Sequence, residues 1–94
     1  MSIFLVHSGE ATSHRVYLDD IGTASISSAT ILDVSPLTFG SVTADNTTTP
    51  KSVVVPVTVA AASHGMLAQA TLTFAISGGG TIPRALTYRI NDSN

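Results

Sequence analysis

The sequence predicts an all-β domain, a sandwich of six or seven short antiparallel strands. Three observations predict it. Apolar residues recur at every second position over 53–59, 72–76 and 86–90, the period of a strand with one buried face. Turn-forming residues divide the chain at roughly the 8–12-residue spacing of a sandwich. Helix-forming residues gather only over 60–70, and Gly65 interrupts them there.

The strands follow in chain order. Ile3 to His7 is a short apolar run, and Arg15 to Leu18 is apolar at Val16 and Leu18. Thr30, Leu32 and Val34 alternate with Ile31, Asp33 and Ser35 and end at Pro36. Leu37 to Thr43 carries Leu37 and Phe39, with Gly40 interrupting it, and Asp45 to Pro50 is a polar loop. Val53, Val55, Val57 and Val59 point one way and Val54, Pro56 and Thr58 the other. Pro56 has no amide donor, which places its strand at a sheet edge or the proline at a bulge. One helical turn fits within 60–70, with His64 as a loop residue.

The last two strands, 68–77 and 85–91, are expected to form an antiparallel hairpin. The loop Ser77-Gly-Gly-Gly-Thr-Ile-Pro-Arg84 joins them: glycine permits positive φ, and Pro83 blocks helix. Tyr88 is expected to pack in the core with its hydroxyl bonded at the edge. The strand count and spacing are those of an immunoglobulin-like sandwich. One domain covers 1–94, with 1–24 readable as part of it, as an N-terminal arm or as a hairpin.

Composition narrows the function. Charged residues make up 11% of the chain against a usual value of about 25%, and 44% of residues are apolar. The polar remainder is mostly Ser and Thr. Two causes fit: threonine suits the exposed face of a strand, or part of the surface is covered in an assembly, since so few charges guard poorly against association. The net charge is −2, and Arg15, Lys51, Arg84 and Arg89 are too scattered to make a nucleic-acid footprint. No stretch approaches the ~20 apolar residues of a membrane span, and Ile3 to Val6 is too short for a signal-peptide core. A nucleic-acid or membrane partner and a cleaved leader are therefore not expected. With no cysteine, disulfides, thiolate zinc sites and cysteine nucleophiles are excluded. Asn46-Thr-Thr48 and Asn91-Asp-Ser93 match the glycosylation pattern by chance.

Few residues suggest chemistry. His7, Glu10 and His14, with Asp19 and Asp20 nearby, could ligate a zinc-like ion if they converged. Gly9 and the irregular spacing favour a turn between two strands instead, with His14 exposed. Asp19-Asp20 lacks the alternate acids and terminal Glu of a calcium loop and reads as an acidic turn. Gly78-Gly79-Gly80 lacks the lysine, the hydroxyl and the following helix of a phosphate loop. No Gly-x-Ser-x-Gly elbow is present. No catalytic residue, metal or cofactor is expected, and the chain reads as a binding or assembly module rather than an enzyme.

The stretch Ala70-Thr-Leu-Thr-Phe-Ala-Ile-Ser-Gly-Gly-Gly-Thr-Ile-Pro-Arg-Ala-Leu-Thr-Tyr-Arg-Ile90 resembles a pattern of small immunoglobulin-like bacteriophage virion proteins. There a Phe-x-Val/Ile-Ser-Gly-Gly strand leads through a short loop to a Tyr-bearing strand. Ser28 to Pro36 resembles the opening strand of the same module, so the likeness covers about 26–91. The sequence departs from the pattern in having no further hairpin after the Tyr-bearing strand. The resemblance implies a virion structural protein without catalytic residues. A capsid decoration (cement) protein is the first expectation: it would bind the assembled shell through the major capsid protein or other virion proteins. It would sit in the virion as a homo-oligomer, with a trimer at a local three-fold axis as the expected form. The alternative is a tail- or fibre-associated adhesin. It would recognise a host glycan or protein through the loop residues Gly78, Gly79, Gly80 and Arg84.

Overall fold

The computed structural model describes residues 3–61 and 65–92. His64 and Ser93 lie outside them. Eight strands run through the described residues: β1 (Ile3–His7), β2 (Ala11–Tyr17), β3 (Ile26–Ile31), β4 (Leu37–Phe39), β5 (Thr43–Asp45), β6 (Ser52–Val59), β7 (Met66–Ile76) and β8 (Thr81–Asn91). They form two packed sheets. The first has the order β1-β8-β7-β3, and the second the order β2-β6-β4, with β5 also pairing β6.

Alternation builds the core. Val53, Val55, Val57 and Val59 are all buried to 2% exposure or less. They meet Leu72 and Phe74 of β7 and Leu86, Tyr88 and Ile90 of β8 in one cluster. Each such side chain contributes roughly 1.5–3 kcal/mol by leaving water. β1 and β2 add Val6 and Val16, and the residue after β2 adds Leu18.

Several expectations change. Among the described residues the strands number eight rather than six or seven, and β7 and β8 are eleven residues each, not short. β1 runs parallel to β8, so the sheets are not wholly antiparallel. β1 pairs with β8 and β2 with β6, so the two do not form a hairpin; each joins a different sheet. The strand read over 30–36 lies at 26–31 instead. β7 begins at Met66, two residues before the strand expected over 68–77, and so takes in the end of the 60–70 stretch where a helical turn fits.

Pro56 is not on an edge strand. β6 is the centre of its sheet, with β2 on one side and β4 and β5 on the other. The Gly40 amide donates to the Pro56 carbonyl at 3.1 Å, so the backbone of Pro56 faces the break between β4 and β5. Phe39 pairs with Val57 and Thr43 with Val54. Three residues, 40–42, thus stand opposite two, 55 and 56. The irregularity lies on the partner side, and the missing donor falls where no ladder bond is available. Gly40 belongs there because a Cβ on it would meet the Pro56 ring at 3.3 Å.

The expected hairpin is present. Ala75 pairs with Thr81 and Met66 with Ile90, leaving only 77–80 as loop. Pro83 pairs with Thr73 inside β8. Among the described residues, β1 pairs with β8 only from Thr87 to Asn91, and no described strand covers the 81–86 half on that side. The Ser8 amide donates to the Asn91 carbonyl on the β1 side, and strand alternation turns the backbone of Pro83 to the same side. Its missing donor therefore falls on the open half of an edge.

Candidate functional site

The residues read from the sequence do not gather in one place. Gly78 to Gly80 form the exposed tip of the β7–β8 hairpin, and Gly78 needs its glycine because its φ is +82°. Arg84 is not in that loop. It is a β8 residue on the side of Leu86 and Tyr88, and it donates to Asp20 at 2.7 Å. That bond joins the first sheet to the acidic turn after β2 and lowers the Asp20 carboxyl below its usual range. Arg84 and Asp19 line a groove of about 430 Å³ between the sheets, together with Phe4, Arg15, Tyr17 and Leu86.

His7 and Glu10 do meet. The His7 amide donates to Glu10 Oε1 at 3.2 Å across the turn, and His7 Nδ1 lies 3.0 Å from the Asp92 carbonyl. His14 is elsewhere and is not exposed. It stands opposite Val55, on the inward side of β2, and shares a hydrogen bond with Tyr88 Oη at 2.5 Å through Nε2. Phe4 stacks on the ring at a centroid distance of 4.0 Å, and Phe39 closes on Tyr88 at 5.7 Å. Burial lowers the His14 pKa from 6.5 to about 4 and raises that of Tyr88. His14 Nδ1 is buried with no hydrogen-bond partner. The imidazole is a packed core group. Among the described residues no three His, Asp or Glu side chains come together as a metal would need.

A second polar cluster, invisible from the sequence, covers the outer face of β6. Arg15 donates to Asp45 Oδ2 and to Ser52 Oγ, each at 2.8 Å, and Thr48 Oγ1 lies 2.7 Å from the same Ser52 oxygen. The Thr47 hydroxyl and amide, then the Arg15 guanidinium, hold the Asp45 carboxyl at about 2. Ser52 is fully buried beneath this lid. Each polar group has its partner inside the cluster, which suits a structural clasp.

The outer face of the first sheet differs. Register places Leu5, Arg89 and Leu67 in one row and Ile3, Thr87 and Gln69 in the next. Ile3, Leu5 and Leu67 are 60%, 57% and 68% exposed, and Met66 adjoins them at the start of β7. Arg89 is the cation within this patch, and an arginine stem extends apolar surface while its head stays wet. The sequence carried the signal: the odd-numbered residues of 3–7 are Ile, Leu and His, where a solvated face would be polar.

No protein-family model and no curated protein matches the chain.

Proposed function

We propose that this chain is a structural module of a bacteriophage particle, a capsid decoration protein that binds and stabilises the assembled shell. One observation carries the reading: exposed Ile3 and Leu5 on β1 and exposed Leu67 on β7 share the outer face of one sheet, with Arg89 of β8 between Leu5 and Leu67, in a chain of which only 11% is charged. Large apolar side chains gathered on an exposed sheet face support an interaction surface there. The polar clusters support the same view, since His14–Tyr88 and Arg15–Asp45–Ser52 are spent within the fold.

The sandwich is of the immunoglobulin-like kind in this proposal. The order β3-β7-β8 facing β2-β6-β4 supports it, because it follows the C-F-G and B-E-D orders of that fold. Self-association and a place in the virion belong to the same reading. The resemblance over 70–90 supports it as well.

Co-sedimentation tests it, using shells assembled from the major capsid protein of the genome that encodes this chain. The wild-type chain is expected to pellet with the shells at saturable stoichiometry. Leu67→Lys, on the β7 side of the same face, is expected to weaken binding at least roughly tenfold while leaving the fold intact. No pelleting, or equal pelleting of both proteins, would remove the proposal.

A further inference from the structure

The four sheet edges are not equally protected. The β3 edge is clasped by Asn46, whose side chain accepts from the Ile26 amide at 2.7 Å and donates to the Ile26 carbonyl at 3.0 Å. β4 and β5 are three residues each, too short to template another strand. The β2 edge carries the charged Arg15 between the exposed Ser13 and Tyr17. The half of β8 that no described strand covers carries Pro83. These are the usual guards against edge-to-edge pairing.

β1 has none of them. The Ser8 amide donates to the Asn91 carbonyl, and with the parallel register this directs the backbones of Phe4 and Val6 toward β8. The N–H and C=O groups of Ile3, Leu5 and His7 therefore point outward. His7 is already satisfied: its amide donates to Glu10 Oε1, and its carbonyl accepts from the Glu10 amide at 3.0 Å. Among the described residues, nothing pairs the outward groups of Ile3 and Leu5.

We propose that two copies of this chain join edge to edge through β1, antiparallel and about a two-fold axis at Phe4, so that their four-stranded sheets become one continuous sheet. In this arrangement Ile3 stands opposite Leu5 of the partner subunit. Each of the two residues gives one donor and one acceptor. All four outward groups of each copy are then matched in four hydrogen bonds, and the Glu10 turn stops the ladder beyond them. The match is isologous, as a two-fold interface requires. It places Ile3 and Leu5 side by side on one face and makes the two apolar patches a single surface.

Charge favours the second copy as the occupant. Residues 3–6 carry no charge, so no like charges meet across the new pair. The nearest cation, Arg89, lies one strand back. The two copies of it stand at least roughly 14 Å apart at the ordinary strand spacing, beyond the screening length of about 8–10 Å.

The inference rests on the self-association in the reading above, but its test is separate from shell binding. Sedimentation equilibrium of the full chain, from micromolar to millimolar concentration and without shells, is expected to show a monomer–dimer equilibrium. Leu5→Pro deletes the outward donor of β1 and spares every bond to β8. Leu5→Lys puts a charge on the edge at an exposed position. Each is expected to weaken the dimer at least roughly tenfold with an unchanged circular-dichroism spectrum. Leu67→Lys, two strands away, is expected to dimerise as the wild type does. A wild type that stays monomeric, or forms the trimer expected from sequence, would overturn the pairing; so would a folded Leu5→Lys that dimerises like the wild type. Shell binding by a monomeric wild type would overturn this pairing alone and leave the shell reading standing.

Discussion

Protonating His14 would place a charge beside Val55, under the Phe4 ring and against the Tyr88 phenol, with no acceptor for Nδ1. Burial accordingly lowers its pKa from 6.5 to about 4. A histidine whose folded pKa lies below its unfolded value leaves the unfolded state binding more protons between the two. Stability is therefore full above pH 6.5 and falls as pH drops toward 4. A shift of this size is worth about 3 kcal/mol for a fully buried group. Solvent screening at a half-buried ring reduces that to about 1–2 kcal/mol. Urea titrations across this pH range are expected to show the loss, and His14→Gln, which keeps a partner for Tyr88 Oη, is expected to flatten it. An unchanged slope in His14→Gln would assign the loss to another group. The position was legible in part. His14 shares parity with Val16 and Leu18, so extending the alternation two residues back turns it inward. The apolar signal at Val16 and Leu18 starts the strand only at Arg15, and Gly9 points to a turn before it, which leaves His14 outside the strand.

Elements near the carboxyl end were the most legible, because 53–59, 72–76 and 86–90 carry unbroken alternation that only strands satisfy. The errors lie where a local signal had to stand for a distant partner. Pro56 signals a missing donor, but the sequence does not show that the neighbouring chain breaks there into β4 and β5. Pro83 and Arg84 followed three glycines and read as loop, although Ile82 and Arg84 share the parity of Leu86 and Tyr88. The parallel pairing of β1 with β8 leaves no trace within either segment. The proline argument has a measurable consequence. If Pro56 sits where no ladder bond is available, Pro56→Ala gains no hydrogen bond and only frees the unfolded chain. It is expected to lower stability by about 0.4–1 kcal/mol in chemical denaturation. A gain in stability would mean that the proline interrupts a ladder.

At the scale of the molecule, His14 and Tyr88 close on one another inside the sandwich and Arg15, Asp45 and Ser52 over β6, while the first sheet turns Ile3, Leu5 and Leu67 to solvent around Arg89. The sequence disclosed the low charge but not the location of the apolar residues left outside, which only strand order and register assemble into a patch. The surface and the hairpin tip at Gly78 to Gly80 lie on different parts of the chain, so one experiment separates an assembly module from a loop-based adhesin. Amide hydrogen exchange, compared between the free chain and the chain bound to assembled shells, reads both at once. Slowed exchange over 3–5, 66–69 and 87–90, with the hairpin tip unchanged, is the result predicted. Slowed exchange confined to 77–80, with the first sheet unchanged, would contradict it.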